Sequence, residues 1–174
     1  MSEHEFRLHP PDARLHEGRR ALVTGATSGL GQSTAFELAA HGAAVAINHR
    51  AKVDEARAMA EAIQAGGGRA IPVAMDISVE DDVRRGFAEA REAFGGLDVL
   101  VNNAGIEAPF EVVDMPLEEW EKVISVNLTG AFLCTREAAR MMRADGTHGT
   151  IVMITSVHEV IPWKRFSHYC ALKS

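Results

Sequence analysis

Residues 20–42 decide the fold of this chain, and they read RALVTGATSGLGQSTAFELAAHG. The apolar run at 20–24 predicts a short buried strand, and residues 29–41 predict a helix that Gly42 ends. Glycines at positions 25, 29 and 31 link the strand to the first turn of the helix. This direct passage from strand to helix predicts the first βα unit of an α/β protein.

The three glycines suit a turn that binds a dinucleotide. The first allows a tight turn, the second lets a pyrophosphate come close, and the third lets the helix pack on the strand. Unpaired N–H groups at the start of the helix would bind the phosphates. A purely structural turn is the alternative. The predicted cofactor contacts in this turn are Gly25, Thr27, Ser28, Gly29, Leu30 and Gly31.

The alternation of strand and helix continues along the chain. Further strands are predicted at 43–48, 70–75, 97–101 and 150–154. Helices are predicted from Val53 to Ile63, from Val83 to Phe94, from about Leu117, and from about Leu128 to Arg143. The apolar runs are continuous, as in strands that are covered on both faces. We therefore predict a Rossmann-type α/β fold, with a doubly wound parallel sheet in three layers.

Composition narrows the function. A chain of 174 residues suggests one domain, and we assign residues 17–174 to it after a flexible polar leader at 1–16. The net charge of −6 and the dispersed arginines argue against a nucleic-acid partner. We find neither an apolar run long enough to cross a membrane nor a secretory signal, and expect a cytoplasmic protein. Cys134 and Cys170 lack metal-ligand spacing, so no metal is expected.

The end of the second predicted strand bears on the choice of cofactor. An acidic residue there would bind the ribose hydroxyls of NAD and repel a 2′-phosphate. The sequence instead reads NHRAK at 48–52, and Arg50 could pair with a 2′-phosphate. The alternative is that Arg50 and Lys52 only begin a solvated helix. We predict NADP as the preferred cofactor, with NAD possible.

Two further segments follow predicted strands, at the edge where such sheets bind ligands. Asp76 could accept a hydrogen bond from the adenine amino group while Ile77 packs on the ring; alternatively, Asp76 caps the next helix. The segment Asn103, Ala104 and Gly105 is small enough to admit the nicotinamide ribose, although alone it would be taken for a turn.

Tyr169 and Lys173 are four residues apart, on one face of a predicted helix. A free phenol is a poor base at neutral pH, and a nearby ammonium favours the phenolate form. Ser156, after the fifth predicted strand, could bond the reacting oxygen. Asn127 could hold a water that relays protons toward Lys173. Each residue alone is a weak signal, but together with the glycine turn they become specific.

In these motifs the sequence resembles a classical short-chain dehydrogenase/reductase. The match runs from about Leu15 to the end of the chain, with the motifs in order and at familiar spacing. The resemblance implies that Tyr169 is the acid/base, Ser156 orients the substrate, and Asn127 completes a proton relay. It also implies that Tyr169 and Lys173 contact the cofactor, with Lys173 on the nicotinamide ribose. The substrate would be a small alcohol or carbonyl compound.

A narrower resemblance is to bacterial glucose 1-dehydrogenases, carried by SVHEVIPW at 156–163, NHR at 48–50 and NLTGAF at 127–132. It implies a sugar substrate contacted by Ser156, His158, Glu159 and Tyr169. Alternatively, His158 and Glu159 are loop residues at the rim of the site. A ketoacyl or other carbonyl reductase of the same family is the main alternative activity.

Family members continue beyond the position of Lys173 with further strands and a helical lid. We therefore expect the C-terminal strands and the lid to be missing here, and the chain to be a truncated form that is inactive alone. The resemblance implies a homotetramer for a full-length form. From a different class, a non-catalytic dinucleotide-binding module remains the alternative function.

Overall fold

The structure, a computed structural model, describes residues 14–173. The strands are Arg20–Val23 (β1), Ala44–His49 (β2), Arg69–Ala74 (β3), Val99–Asn102 (β4) and Thr150–Met153 (β5). The helices are Gly29–Ala40 (α1), Val53–Ala65 (α2), Glu80–Phe94 (α3), Leu117–Ile124 (α4), Ala131–Ala144 (α5) and Ser167–Lys173 (α6). Most of the predicted leader, residues 1–13, and Ser174 lie outside the described residues.

The five strands form one parallel sheet in the order β3-β2-β1-β4-β5. The chain first moves outward from β1 to β3 and then crosses to β4 on the other side of β1. Such a reversal leaves a crevice at the carboxyl ends of β1 and β4, where sheets of this type bind ligands. The predicted Rossmann-type fold is confirmed.

Each face of the sheet is covered by helices, which gives the three predicted layers. On one face, Val45 and Ile47 of β2 pack with small residues of α1 and with the apolar stripe of α2. On the other face, Leu22 and Leu100 pack with α3 and α5. Burial of these aliphatic side chains is the main stabilising term of the fold.

Both edges of the sheet differ from its centre. Pro72 lies in β3, where its missing N–H costs little because β3 is an edge strand. At the other edge, Val152 and Met153 of β5 are 39% and 49% exposed. Among the described strands β5 has β4 as its single neighbour, so its outer edge is open within these residues.

The prediction of two separate helices, one from about Leu117 and one from about Leu128, is wrong. From α4 to α5 the chain remains helical, because residues Ser125–Gly130 form a π-helical segment. A π-helical segment adds a residue per turn without ending the helix, and such segments are frequent at functional sites. This one contains Asn127.

His16, the last residue of the predicted leader, is part of the folded structure. Its N–H donates to the carbonyl oxygen of His41 at 2.9 Å, and the two imidazole rings meet edge to face. The part of the predicted leader from residue 14 to 16 therefore packs against the domain.

At the amino ends of the strands, β1 is joined to β4 by an ion pair. Arg20 Nε lies 2.7 Å from Asp98 Oδ2, and the main-chain N–H of Arg20 donates to the same oxygen at 2.9 Å. Both side chains are largely buried. The hydrogen bonds from Arg20 hold the pKa of Asp98 below its usual value, against the opposing effect of burial.

We predict that Asp98→Asn lowers the free energy of unfolding at pH 7 by about 1–3 kcal/mol, because Arg20 loses its charged acceptor. The contribution of Asp98 is complete above about pH 4, the pKa of a free aspartate, and is lost as the pH falls through the lower pKa of the folded state. Urea unfolding across this pH range measures it. The exposed Asp54→Asn is the control, and an equal effect of both substitutions would contradict the prediction.

Candidate active site

The carboxyl ends of β1 and β4 are joined through Thr24 and Asn103. The buried Thr24 hydroxyl accepts hydrogen bonds from the main-chain N–H groups of Asn103 and Ala104, each at 3.0 Å. The Asn103 amide donates to the carbonyl oxygens of Thr24 at 2.9 Å and Gly25 at 3.2 Å. These bonds fix the floor of the crevice.

Asn48, at the end of β2, holds the glycine turn in place. Its Oδ1 accepts from the N–H of Gly25 at 3.0 Å, and its Nδ2 donates to the carbonyl oxygen of Met75 at 2.9 Å. Asn48 is 2% exposed, so its amide has almost no access to water and needs these two bonds within the protein. The turn is thereby tied to the ends of β2 and β3.

The three glycines of the turn have different surroundings. Gly25 has φ +60°, and a Cβ there would lie 2.9 Å from the Cα of Ala104. A Cβ on Gly31 would collide with the carbonyl oxygen of Gly25. Gly29 has φ +54° and open space where its Cβ would be. Gly25 and Gly31 therefore serve close packing, while Gly29 leaves the approach to α1 open.

The start of α1 faces this open space. Ser28 precedes the helix without a side-chain capping bond, and Ser28 and Leu30 are both exposed. The neighbouring Thr27 is half-buried. The first N–H groups of a helix have no partner within it, so they remain available for an anion.

Three of the predicted cofactor residues follow β2 and β3. Arg50 is exposed, and it has no ion pair with any residue of the described part of the chain. Asp76 accepts from both the N–H and the hydroxyl of Ser78, at 3.0 and 2.6 Å. Because α3 begins at Glu80 with Val79 before it, Asp76 does not cap that helix, and the capping alternative is wrong.

Ile77 is more enclosed than the sequence suggested. Its side chain is 5% exposed and belongs to the core, and a Cβ on Gly130 would lie 2.8 Å from Ile77 Cδ1. The expected packing of Ile77 on an adenine ring is therefore limited to the small exposed part of the residue.

Asn127 holds the loop after β4. Its Oδ1 accepts from the N–H of Ile106 and its Nδ2 donates to the carbonyl oxygen of Ile106, both at 2.8 Å. The adjacent Gly105 would bring a Cβ to 3.5 Å from Asn127 Oδ1. The side chain of Asn127 therefore positions this loop, and one Nδ2 hydrogen and one Oδ1 lone pair remain for the predicted water.

Tyr169 and Lys173 lie together on α6. The Lys173 ammonium nitrogen is 5.5 Å from the centre of the Tyr169 ring, and it donates to the carbonyl oxygen of Ile154, after β5, at 2.7 Å. Burial lowers the pKa of Lys173. The helix that carries both residues is thus attached to the end of the sheet by a charged hydrogen bond.

Ser156 and His158 face the same region from the turn after β5. The Ser156 hydroxyl oxygen accepts from the N–H of His158 at 3.2 Å, at the start of the 3₁₀ turn Val157–Glu159. The His158 ring meets the Tyr169 ring edge-on, with centres 6.4 Å apart. Glu159 is exposed. The structure therefore brings Ser156, His158, Tyr169 and Lys173 together.

Sequence reasoning missed the anchoring roles of Thr24 and Asn48. Both are polar residues at the ends of otherwise apolar runs, and both are fully or almost fully buried. A polar side chain that directly follows a buried strand is a usable signal, because it must find a hydrogen-bond partner there.

No helix within residues 14–173 has the length and apolar character needed to cross a membrane. The described residues also contain no cluster of three or more His, Cys, Asp or Glu side chains that could hold a metal ion.

Known proteins resemble the chain over most of its length. The family model for short chain dehydrogenase matches residues 19–174. The chain is 45% identical over 157 residues to glucose 1-dehydrogenase of Gluconobacter oxydans, covering 90% of this chain and 59% of that protein. It is 40% identical over 158 residues to 3beta-hydroxysteroid dehydrogenase 1 of Eggerthella lenta, covering 91% and 60%.

A solved structure shows the same fold. The short chain dehydrogenase from Burkholderia cenocepacia J2315, in complex with NADP, superimposes with a TM-score of 0.84 at 37% identity, covering 91% of this chain and 64% of that one. The chain belongs to the short chain dehydrogenase family, which confirms the resemblance seen in its motifs. It spans about three fifths of the length of the curated relatives it matches.

We predict that Thr24→Val lowers the free energy of unfolding by about 1–3 kcal/mol and weakens dinucleotide binding, because the N–H groups of Asn103 and Ala104 lose their acceptor. Thr24→Ser, which keeps the hydroxyl, is the control. Urea unfolding and a cofactor titration measure the two effects. Equal behaviour of the valine and serine variants would show that the hydroxyl is not the anchor.

Proposed function

We propose that the whole protein is an NAD(P)-dependent oxidoreductase that interconverts an alcohol and a carbonyl compound. The observation that carries the proposal is that Lys173 lies next to the Tyr169 ring and bonds Ile154 after β5, at the same edge of the sheet as the glycine turn, with Ser156 two residues beyond Ile154. A phenol, an ammonium and a hydroxyl next to a phosphate-binding turn are the groups that such a reaction requires.

The residues at this edge fit a dinucleotide. The open start of α1 at Gly29 suits a pyrophosphate, and the exposed Arg50 suits a 2′-phosphate. Asp76 follows β3, and Ala104 and Gly105 follow β4, at the carboxyl ends of the strands. When bound, the nicotinamide supplies the hydride acceptor or donor. We propose NADP as the preferred cofactor and NAD as a possible one, and the relative solved with NADP supports this.

In the proposed mechanism, Tyr169 exchanges a proton with the substrate oxygen. Ser156 accepts from the N–H of His158, so its own hydrogen remains to bond that oxygen. Lys173, whose ammonium nitrogen lies 5.5 Å from the centre of the Tyr169 ring, binds the nicotinamide ribose. Asn127 holds the loop after β4 in place through its two bonds to Ile106.

The substrate that we propose is a sugar, oxidised at its anomeric hydroxyl. The similarity to a glucose 1-dehydrogenase supports it, as does the position of His158 next to Tyr169. Glu159 would contact further hydroxyl groups. The similarity to a hydroxysteroid dehydrogenase supports a second candidate, the oxidation or reduction of a larger alcohol or carbonyl compound, ketoacyl substrates included.

A substrate screen of the whole protein at the absorbance of the reduced cofactor separates these candidates. Turnover of sugars alone favours the first, and turnover of steroid or ketoacyl compounds alone removes it. Cofactor binding with no turnover of any alcohol or carbonyl compound would favour a non-catalytic dinucleotide-binding module. We also propose that the whole protein is cytoplasmic and forms a homotetramer. Sedimentation of the purified protein tests the oligomeric state.

We predict that Tyr169→Phe lowers kcat at least about a hundredfold, because the group that exchanges the proton is lost. The dissociation constant for NADP should change by no more than about twofold, since one hydroxyl contributes little to so large a ligand. Steady-state kinetics and a cofactor titration measure these quantities. Retained turnover in the folded variant would contradict the mechanism.

We predict that Arg50→Ser weakens NADP binding about tenfold, as expected for the loss of a charged hydrogen bond, and leaves NAD binding nearly unchanged. Lys52→Ser, two residues along the chain, is the matched control for loss of positive charge. Titration with both cofactors measures the ratio. An equal effect of the two variants on NADP binding would show that Arg50 acts only through its positive charge and not through a bond to the 2′-phosphate.

A further inference from the structure

Three rings stack in the segment between Ser156 and α6, and we call His158, Trp163 and Phe166 the aromatic stack. The centres of His158 and Trp163 are 4.7 Å apart with planes 14° from parallel. Those of Trp163 and Phe166 are 4.3 Å apart with planes 12° from parallel. The stack ends at the active site, because the edge of His158 meets Tyr169.

The aromatic stack is attached to α6 through Cys170. The main-chain N–H of Trp163 donates to the Sγ of Cys170 at 3.3 Å, and the N–H of Cys170 donates to the carbonyl oxygen of Phe166 at 2.8 Å. Cys170 is 9% exposed, whereas Val160 and Ile161 in the preceding loop are 76% and 60% exposed. The thiol therefore holds a loop that has little burial of its own.

The loop also fixes the hydrogen on the His158 ring. His158 Nδ1 lies 2.9 Å from the carbonyl oxygen of Ile161. Because a carbonyl oxygen only accepts, Nδ1 carries the hydrogen, and Nε2 is the acceptor of the neutral ring. The direction of that acceptor depends on the plane of the ring, which Trp163 sets by stacking on it.

We propose that Cys170 is a positioning residue for substrate recognition. Its thiol fixes Trp163, Trp163 fixes the plane of His158, and His158 Nε2 accepts a hydrogen bond from a hydroxyl of a polyhydroxylated substrate bound at Tyr169. The inference rests on the proposed function and names the sugar class as the substrate it serves. Cys170 itself touches neither the substrate nor the reacting atoms, so its loss should affect KM rather than kcat.

The first test is spectroscopic and needs no turnover. The chain has two tryptophans, so Trp120→Phe leaves Trp163 as the one indole. Near-UV circular dichroism reports rigid tertiary packing of such a ring. We expect the Trp163 signal to be lost in Cys170→Ala and kept in Cys170→Ser, which retains an acceptor. His158→Ala should weaken it, because one of the two rings that stack on Trp163 is removed.

Cys134→Ala is the matched control, because Cys134 is also buried but lies on α5, where its side chain packs in the core. The Trp163 signal of Cys134→Ala should equal that of the chain that carries Trp120→Phe alone. If Cys170→Ala does not fold, Cys170→Val removes the acceptor while filling the space. A folded variant that lacks the acceptor at position 170 and keeps the full Trp163 signal would overturn the inference.

The second test is kinetic, on the whole protein with glucose and NADP. Cys170→Ala should raise KM for glucose about three- to tenfold, the factor expected for one hydrogen bond, with kcat and NADP affinity within about twofold. Cys170→Ser should restore most of the loss. If Cys170→Ala turns over glucose with the same KM as Cys134→Ala, the inference is overturned and the proposed function is not. A protein without turnover of any alcohol overturns the proposed function, and the inference with it.

Discussion

Parallel strands end with main-chain groups that no neighbouring strand can pair, and a crevice between two such ends must satisfy them by other means. Here the Thr24 hydroxyl and the Asn103 amide do so, by bonding across the ends of β1 and β4. The Thr24 hydroxyl and the Asn103 amide can each donate and accept hydrogen bonds, and a buried polar group without a partner is costly. The glycine turn begins at one of these ends and the loop to α4 begins at the other, so the whole site depends on this junction.

The same junction limits the size of nearby side chains. Gly25 lies against Ala104, and Gly31 lies against both Gly25 and Asn103, so neither position can hold a Cβ without a shift of the main chain. Gly29 has no such neighbour. Two glycines of the turn are therefore explained by packing within the protein, and the third is the one whose surroundings suit a ligand.

Much of the fold could be predicted because its signals are local. The turn from β1 into α1 is a continuous stretch, and Tyr169 and Lys173 meet because residues four apart share a helix face. What could not be predicted has both local and tertiary causes. Asp76 bonds Ser78, two residues along the chain, instead of capping α3, and no local rule distinguishes the two choices. Asn48 bridges three strands, a role that appears only once their order in the sheet is known.

The continuity of α4 with α5 also depends on details that local patterns do not show. A π-helical segment differs from an α-helix by one residue per turn, which hydrophobic spacing over so few residues does not resolve. Local patterns therefore define the elements, and the assembled sheet defines their ends and exposure.

Two hydrogen bonds connect α6 with the rest of the described structure. One attachment is the bond from Lys173 to the carbonyl oxygen of Ile154, and the other is the bond from the N–H of Trp163 to Cys170. The first ties the acid/base pair to the end of β5, and the second ties the loop that carries His158 to the same helix. Because Tyr169 lies on α6 and the loop with His158 is bonded to α6, a shift of this helix would move the proposed proton-exchanging group and the proposed substrate contact together. Their relative position is thereby preserved even though the surrounding loop is exposed.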